Sequence, residues 1–197
     1  KKYLMGVDAG TSRFKGLICD LDGEVVGMAA RDVEVEHPKP NWAEQDMKTV
    51  WETAAGVIND TIKKADIDPE DIEGVSITGH GNGSFLIDEG GDPAREKAII
   101  WLDSRKGKQK TMEEWRESGK YDWIYNETGN SPRACTQLMH LNWMTEEEPE
   151  TLEKASFHVG CKDWIRFKIV GENGAYMDHS EASATCFFDP VEKKWEK

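Results

Sequence analysis

The chain contains no apolar run approaching the roughly 20 residues a membrane-spanning helix needs. Its Lys1-Lys2 start is not followed by the apolar core of a signal peptide. A membrane partner is therefore not expected. Cysteine is scarce: four residues, at 19, 135, 161 and 186, with no CxxC pair. That spacing argues against a zinc site or a disulfide framework, and for reduced, mostly buried thiols in a cytoplasmic protein. Basic charge is short as well. A net charge of −13 disfavours nucleic acid or an anionic membrane as the main partner, since both demand a basic surface. No GxxxxGK[ST] phosphate loop, internal repeat or low-complexity tract is present.

What remains is an ordinary globular composition, 38% hydrophobic and 32% charged over 197 residues. A chain of this size buries roughly 70% of its unfolded surface, so a proper core is possible. Strands are expected over 3–8, 13–20 and 24–33, the last two joined by a Leu21-Asp22-Gly23 turn. After the breaker His37-Pro38-Lys39-Pro40 comes a helix with Val50, Ala54, Val57, Ile58, Ile62 and Ala65 on one face, its start capped by Asp46. "GVSITG" (74–79) reads as a short buried strand, and "SFLIDEGGDP" as a hairpin turning at Gly90-Gly91 ahead of the strand "KAIIW" (97–101). Helices are expected from Ser104 to Gly119, near 136–145 and near 161–170. The order β-β-β-α-β is an α/β pattern, and with no linker-like boundary a single domain is expected.

Three stretches carry chemistry. In "GVDAGTSRFK", Asp8, Gly10, Thr11, Ser12 and Lys15 sit in a tight loop between two strands. Glycine lets backbone N–H groups approach a phosphate, the hydroxyls add donors, and Lys15 adds positive charge. Arg13 and Lys15 share one face of the second strand. Asp8, at a strand end, can hold Mg²⁺ through water, as a hard cation beside phosphates prefers. Taken alone, the stretch also reads as a plain hairpin turn. "GHGNG" (79–83) follows a strand with three glycines, His80 and Asn82, a loop open to a small molecule or a simple surface turn. In "AIIWLDSR" (98–105), Trp101 and Asp103 place a flat wall beside a carboxylate, the combination that binds sugars, although Trp101 could equally be core.

Together the segments "GVDAGTSRFKGLICDLDGEVV", "NWAEQD", "GVSITGHGNGSFLIDEGGDP", "AIIWLDSR" and "CKDWIRFKIVGENGAYMDHSEASATCFFD" resemble, in order and spacing, the N-terminal part of the FGGY carbohydrate kinases. This is the family of glycerol kinase, xylulokinase and ribulokinase. The resemblance implies a ribonuclease-H-like (actin-like ATPase) α/β domain, a mixed sheet flanked by helices. It implies a partner domain closing over a cleft, with sugar held mainly by the first domain and ATP mainly by the second. An aspartate deprotonates a sugar hydroxyl, which attacks the γ-phosphate while Mg²⁺ offsets the developing charge. By position, Asp8 matches the metal-side acid, and Gly10, Thr11, Ser12 and Lys15 match the phosphate loop. Trp101 and Asp103 match the Trp-x-Asp that lines the sugar pocket.

Gly81 and Asn82 fall where glycerol kinases carry Arg-Glu and xylulokinases carry Met-His. "GHGNG" is closer to the L-xylulose kinase-like branch, so a pentulose or sugar alcohol is expected as substrate rather than glycerol. Family members are more than twice as long, and their catalytic base falls beyond residue 197, as does the nucleotide domain. The chain alone is therefore expected to be inactive, and oligomeric state, a homodimer included, stays open. The alternative is a catalytically silent sugar-binding or regulatory module of the same fold. "EEEPE" (146–150) is expected to be a solvated turn, and Trp51, Trp115 and Trp143 to be core. His140 and His158 lack partners at ligand spacing. "KDW" (162–164) and "DHSEAS" (178–183) read as scaffold.

Overall fold

The computed structural model describes residues 1–171 and 175–196; Glu172, Asn173 and Gly174, inside the last segment that carries the resemblance, lie outside them, as does Lys197. In chain order the first elements are β1 (Tyr3–Ala9), β2 (Arg13–Asp20), β3 (Val25–Asp32), β4 (Glu44–Asp46), α1 (Met47–Ala65) and β5 (Ile72–Gly79). Next come β6 (Phe85–Ile87), β7 (Lys97–Ile99), α2 (Lys108–Glu117), α3 (Lys120–Thr128), α4 (Gln137–Glu147) and α5 (Pro149–Lys154). The chain continues with β8 (Phe157–Val159), α6 (Cys161–Val170), α7 (His179–Ala184), β9 (Phe188–Asp189) and β10 (Lys194–Trp195). These elements form two compact units, Lys1–Val35 with Met47–His80, and Glu36–Asp46 with Gly81–Lys197. The sequence hides this division because the chain passes between units without a Gly- or Ser-rich linker.

The first unit is a four-stranded sheet in the order β3-β2-β1-β5. β1 and β2 pair antiparallel, as do β2 and β3, whereas β5 lies parallel to β1. A parallel pair needs a long crossover, and α1 falls within it. Alternation along β1 sends Met5, Val7 and Ala9 inward. Met5, Val7 and Ile18 pack with Ile58 and Ile62 of α1. Leu4, Gly6 and Asp8 point to the opposite, open face. The expectation of a buried strand at 74–79 is corrected: all of β5 is half-buried or exposed. It lies at the sheet edge, and only Ile72 and Ile77 pack against the core.

The second unit contains three two-stranded antiparallel ladders, β4–β7, β6–β8 and β9–β10. The turn at Gly90-Gly91 is real: the Gly91 N–H donates to the Asp88 carbonyl at 3.1 Å. The Asp88 side chain also accepts from the N–H groups of Gly90 and Asp92. The expected hairpin is short: Asp88 N–H donates to the Asp92 carbonyl and Ala94 N–H to the Leu86 carbonyl, both at 2.9 Å, around an antiparallel Ile87–Pro93 bridge. β6 also pairs with β8, Phe85 opposite Val159, which the sequence did not suggest. Trp143 packs with Leu86, Ile99 and Met144, and Trp115 with Ile124, Met139 and Cys186, so both tryptophans are core as expected. Within the acidic run at 146–150, Glu148 turns inward to Arg95 at 2.7 Å and is not simply solvated.

Candidate functional site

The phosphate-type loop belongs to the first unit. Residues 10–12 join β1 to β2, and Asp8 and Lys15 are register partners on the open face. Lys15 Nζ lies 4.0 Å from Asp8 Oδ2, with the Lys15 side chain 61% and the Asp8 side chain 45% exposed. Neither charge is committed to a tight ion pair. The loop demands glycine at its first position, because a Cβ on Gly10 would come 2.8 Å from the Arg13 carbonyl. Two backbone bonds brace it: Val33 N–H donates to the Ser12 carbonyl at 3.1 Å, and His80 N–H to the Ala9 carbonyl at 3.0 Å. Arg13 is tied sideways to Asp32 at 2.6 Å, leaving Lys15 as the cation nearer Asp8. A shallow depression of about 310 Å³ on this face is lined by Asp8, Lys15, Gly6, Leu17, Ser76 and Thr78, among others.

Among the described residues no group of three or more His, Cys, Asp and Glu side chains is arranged to hold a metal. A lone accessible carboxylate still suits Mg²⁺, which keeps several waters and is held by one or two carboxylates together with substrate phosphates. The residues present fit such an ion in that limited sense.

The expected sugar-side residues belong to the second unit. Gly81, Asn82 and Gly83 join β5 to β6, and Asn82 takes φ of 58°, a left-handed conformation that asparagine tolerates better than most residues. Its Oδ1 has no hydrogen-bond partner. Gln137, at the start of α4, donates from Nε2 to the Gly83 carbonyl at 2.7 Å. Glu181 of α7 lies against this loop, its Oε2 3.7 Å from where a Cβ on Gly81 would stand, and faces the Asn82 backbone N–H. Trp101, just past β7, is 43% exposed, as a binding wall requires.

Residues 3–197 match the N-terminal domain model of the FGGY family of carbohydrate kinases. The chain belongs to that family. A glycerol kinase of Oceanobacillus iheyensis is 28% identical over 200 residues, spanning 100% of this chain and 40% of the relative. A probable L-xylulose kinase of Pasteurella multocida is 28% identical over 170 residues, 86% of this chain and 35% of the relative. The crystal structure of Plasmodium falciparum glycerol kinase with ADP superposes with a TM-score of 0.86 at 21% identity, over 100% of this chain and 39% of that one. The FGGY domain thus has the actin-like ATPase fold and spans about 40% of the length of the curated relatives it matches.

Within the FGGY domain, Asp103 is not placed as expected. It is 1% exposed. Its Oδ2 accepts from Ala43 N–H at 2.9 Å and Arg105 Nη2 at 2.8 Å, while Oδ1 accepts from Lys108 Nζ at 2.8 Å and Arg105 Nε at 2.9 Å. No oxygen is left for a sugar. Burial pushes this carboxyl up, but Arg105 and Lys108 outweigh that and hold it below the usual carboxylate range. Burial in turn lowers Lys108 to about 8. Arg105 is stacked between Trp42 and Trp143, 3.7 and 4.3 Å from the ring centroids, and reaches Glu44 at 2.8 Å. Asp103 is the centre of a buried ion cluster that anchors the segment carrying Trp101.

Other groupings were not legible beforehand. His140 Nδ1 and His158 Nε2 converge on Ser84 Oγ, at 2.9 and 3.1 Å. Burial lowers His158 to about 4 and His140 well below its ordinary value, so both rings are neutral at pH 7. Ser84 is itself buried, which makes this a core hydrogen-bond motif and not a nucleophile with its base. Glu181 and Gln137 also escaped notice. The one signal was the placing of "DHSEAS" among the segments resembling the family.

Proposed function

We propose that this FGGY domain is the substrate side of a carbohydrate kinase that transfers the γ-phosphate of ATP to a hydroxyl of a small sugar, a pentulose or a sugar alcohol. The observation that carries the reading is the placement of Asp8: accessible, on the open sheet face, opposite Lys15 and one residue before a loop too tight for any residue but Gly10. The names of the relatives, glycerol kinase and probable L-xylulose kinase, support the substrate class, and the ADP held by the Plasmodium enzyme supports the nucleotide.

In this mechanism the N–H groups and hydroxyls of the Gly10–Ser12 loop donate to phosphate oxygens, and Lys15 adds positive charge where negative charge accumulates. Asp8 orients the waters of a bound Mg²⁺, which supplies charge neutralisation when present. On the sugar side, Trp101 offers its ring face to C–H groups, the unmet Asn82 Oδ1 accepts from a hydroxyl, and Gly81 leaves room. Asp103 keeps the Trp101 segment in place. The general base is assigned to a residue outside this chain, in line with the family resemblance, and the main ATP contacts to a second domain. We place the reaction in the cytoplasm; four free cysteines agree with a reducing compartment.

The test is ADP release by the whole gene product with ATP, Mg²⁺ and a panel of glycerol, pentitols and pentuloses. Turnover with a pentulose or pentitol of about 1–100 s⁻¹, the ordinary kinase range, is expected. Sugar binding without any turnover would replace this reading with that of a silent module.

A further inference from the structure

The Gly81–Gly83 loop lies outside both strands it joins, and side chains take up its backbone groups. Gln137 holds the Gly83 carbonyl, and Glu181, its Oε2 3.7 Å from where a Cβ on Gly81 would stand, faces the Asn82 N–H. Gln137 Nε2 also approaches Glu181 Oε1 at 3.5 Å, so the two holding side chains meet. We infer that Glu181 is the positioning residue of this loop, fixing Asn82 in its left-handed conformation for sugar recognition. The sugar part of the inference rests on the proposed kinase function; the positioning part does not.

Glu181 is confined. A Cβ on Gly160 would stand 2.9 Å from Glu181 Oε1 and 2.9 Å from Asp163 Oδ2. Two carboxyl oxygens therefore border a space that only glycine leaves open. Asp163 Oδ2 is buried with no hydrogen-bond partner, while its Oδ1 accepts from Lys162 Nζ at 2.7 Å. Lys162 also bonds Asp178, which caps α7 by accepting from Ser180 N–H at 2.9 Å and Glu181 N–H at 3.1 Å. The ionisable groups around Glu181 are thus Cys161, Lys162 and Asp163 on α6 and Asp178 at the start of α7. Gln137 on α4 and Asn82 are neutral.

Three carboxyls share one ammonium in this cluster, so they cannot all ionise without cost. Burial pushes Glu181 up to about 7, with Lys162 opposing and Asp163 adding. Asp163 is raised too, again by burial. An ionised carboxylate is a stronger acceptor for the Asn82 N–H than a neutral carboxyl. The grip on the loop therefore strengthens as pH rises through neutrality and slackens as it falls.

The experiment follows backbone amides of the chain by ¹⁵N–¹H NMR from pH 5.5 to 8.5. The Asn82 amide should titrate with a midpoint near 7 in the wild type and stay fixed in Glu181→Gln, which retains an acceptor oxygen. Asp163→Asn should keep the transition and lower its midpoint, because a neighbouring negative charge is gone. In the whole gene product the KM for sugar should rise about 5-fold between pH 8 and pH 6, stay flat in Glu181→Gln, and leave the KM for ATP unmoved. A wild-type Asn82 amide that does not titrate, or one that titrates equally in Glu181→Gln, overturns the inference. If no sugar is phosphorylated the kinase reading fails, while the amide titration still decides the role of Glu181.

Discussion

Lys15 stands directly across the β1–β2 pair from Asp8, its Nζ 4.0 Å from Oδ2, with both side chains open to solvent. Such a pair contributes little to stability, because exposed ion pairs are typically worth 0–1 kcal/mol. Two opposite charges kept close but unlocked are instead poised to meet a ligand that carries both signs, such as a metal-bound phosphate.

Asp8→Asn should accordingly separate catalysis from folding. In the whole gene product kcat should fall on the order of 10²-fold or more, as for loss of one preorganised electrostatic group. The thermal midpoint should hold, since the side chain is exposed, and the KM for sugar should change little. A destabilised protein with undiminished kcat per folded molecule would reduce Asp8 to a turn residue.

Asn82→Gly isolates the amide from the backbone. Glycine adopts the left-handed conformation freely, so the φ of 58° is retained while the side chain is removed. Sugar affinity should drop roughly 5- to 150-fold, the worth of one hydrogen bond left unpaired, about 1–3 kcal/mol. Trp101→Ala should weaken sugar binding with little loss of stability, because the ring is already substantially exposed. Isothermal titration with sugar checks both, and unchanged affinity in both variants would move the pocket elsewhere.

Asp103→Ala should do the reverse. Removing the carboxylate strands Arg105 and Lys108 as buried cations, at a cost of about 3–5 kcal/mol. Urea unfolding should show that loss, whereas Asp103→Asn, which keeps some acceptor capacity, should lose less. Full stability in Asp103→Ala would mean that the cluster does not anchor this segment.

Stability should fall between pH 6.5 and 5. His158 is lowered to about 4 and His140 further, both by burial. Across this window the unfolded chain binds more protons than the fold, so acidification favours unfolding. Their contribution is complete above the ordinary histidine pKa and is lost as pH falls toward the folded values. Glu181 acts oppositely: its raised carboxyl binds protons in the fold first, adding stability on acidification from 7 toward 4.5. Urea midpoints in a Glu181→Gln background isolate the histidines. A curve that is flat or rises on acidification in that background would contradict their burial as neutral rings.

Local pattern carried most of the first unit. The alternation in β1 and β2, the Asp22-Gly23 turn and the one-sided apolar face of α1 are all legible within a dozen residues. What could not be read lay at long range. "GVSITG" has the composition of a buried strand, and only the sheet order shows that it is an edge. The glycine turn and its short hairpin could be read locally, but β6 has a second partner, β8, some seventy residues away, which could not. Trp101 and Asp103 are near neighbours in sequence, yet one is open and the other sealed. The sealing groups, Arg105 and Lys108, were visible within five residues, but a carboxylate near two cations reads equally as an exposed charge cluster. Glu181 owes its character wholly to tertiary neighbours.

The chain enters the second unit at Glu36, returns to the first at Met47 and leaves again at Gly81. Neither unit can therefore be excised as one uninterrupted fragment. During synthesis the four-stranded sheet has every strand available once Gly79 has emerged, whereas Glu44–Asp46 must wait for Lys97–Ile99. A nascent chain that has emerged past Gly79 but not yet as far as Lys97, an interval of order seconds at a pace of about 5–20 residues per second, would hold the four-stranded sheet finished with one short β-strand still seeking its mate. Pausing or truncation in that interval would expose a ready aggregation edge.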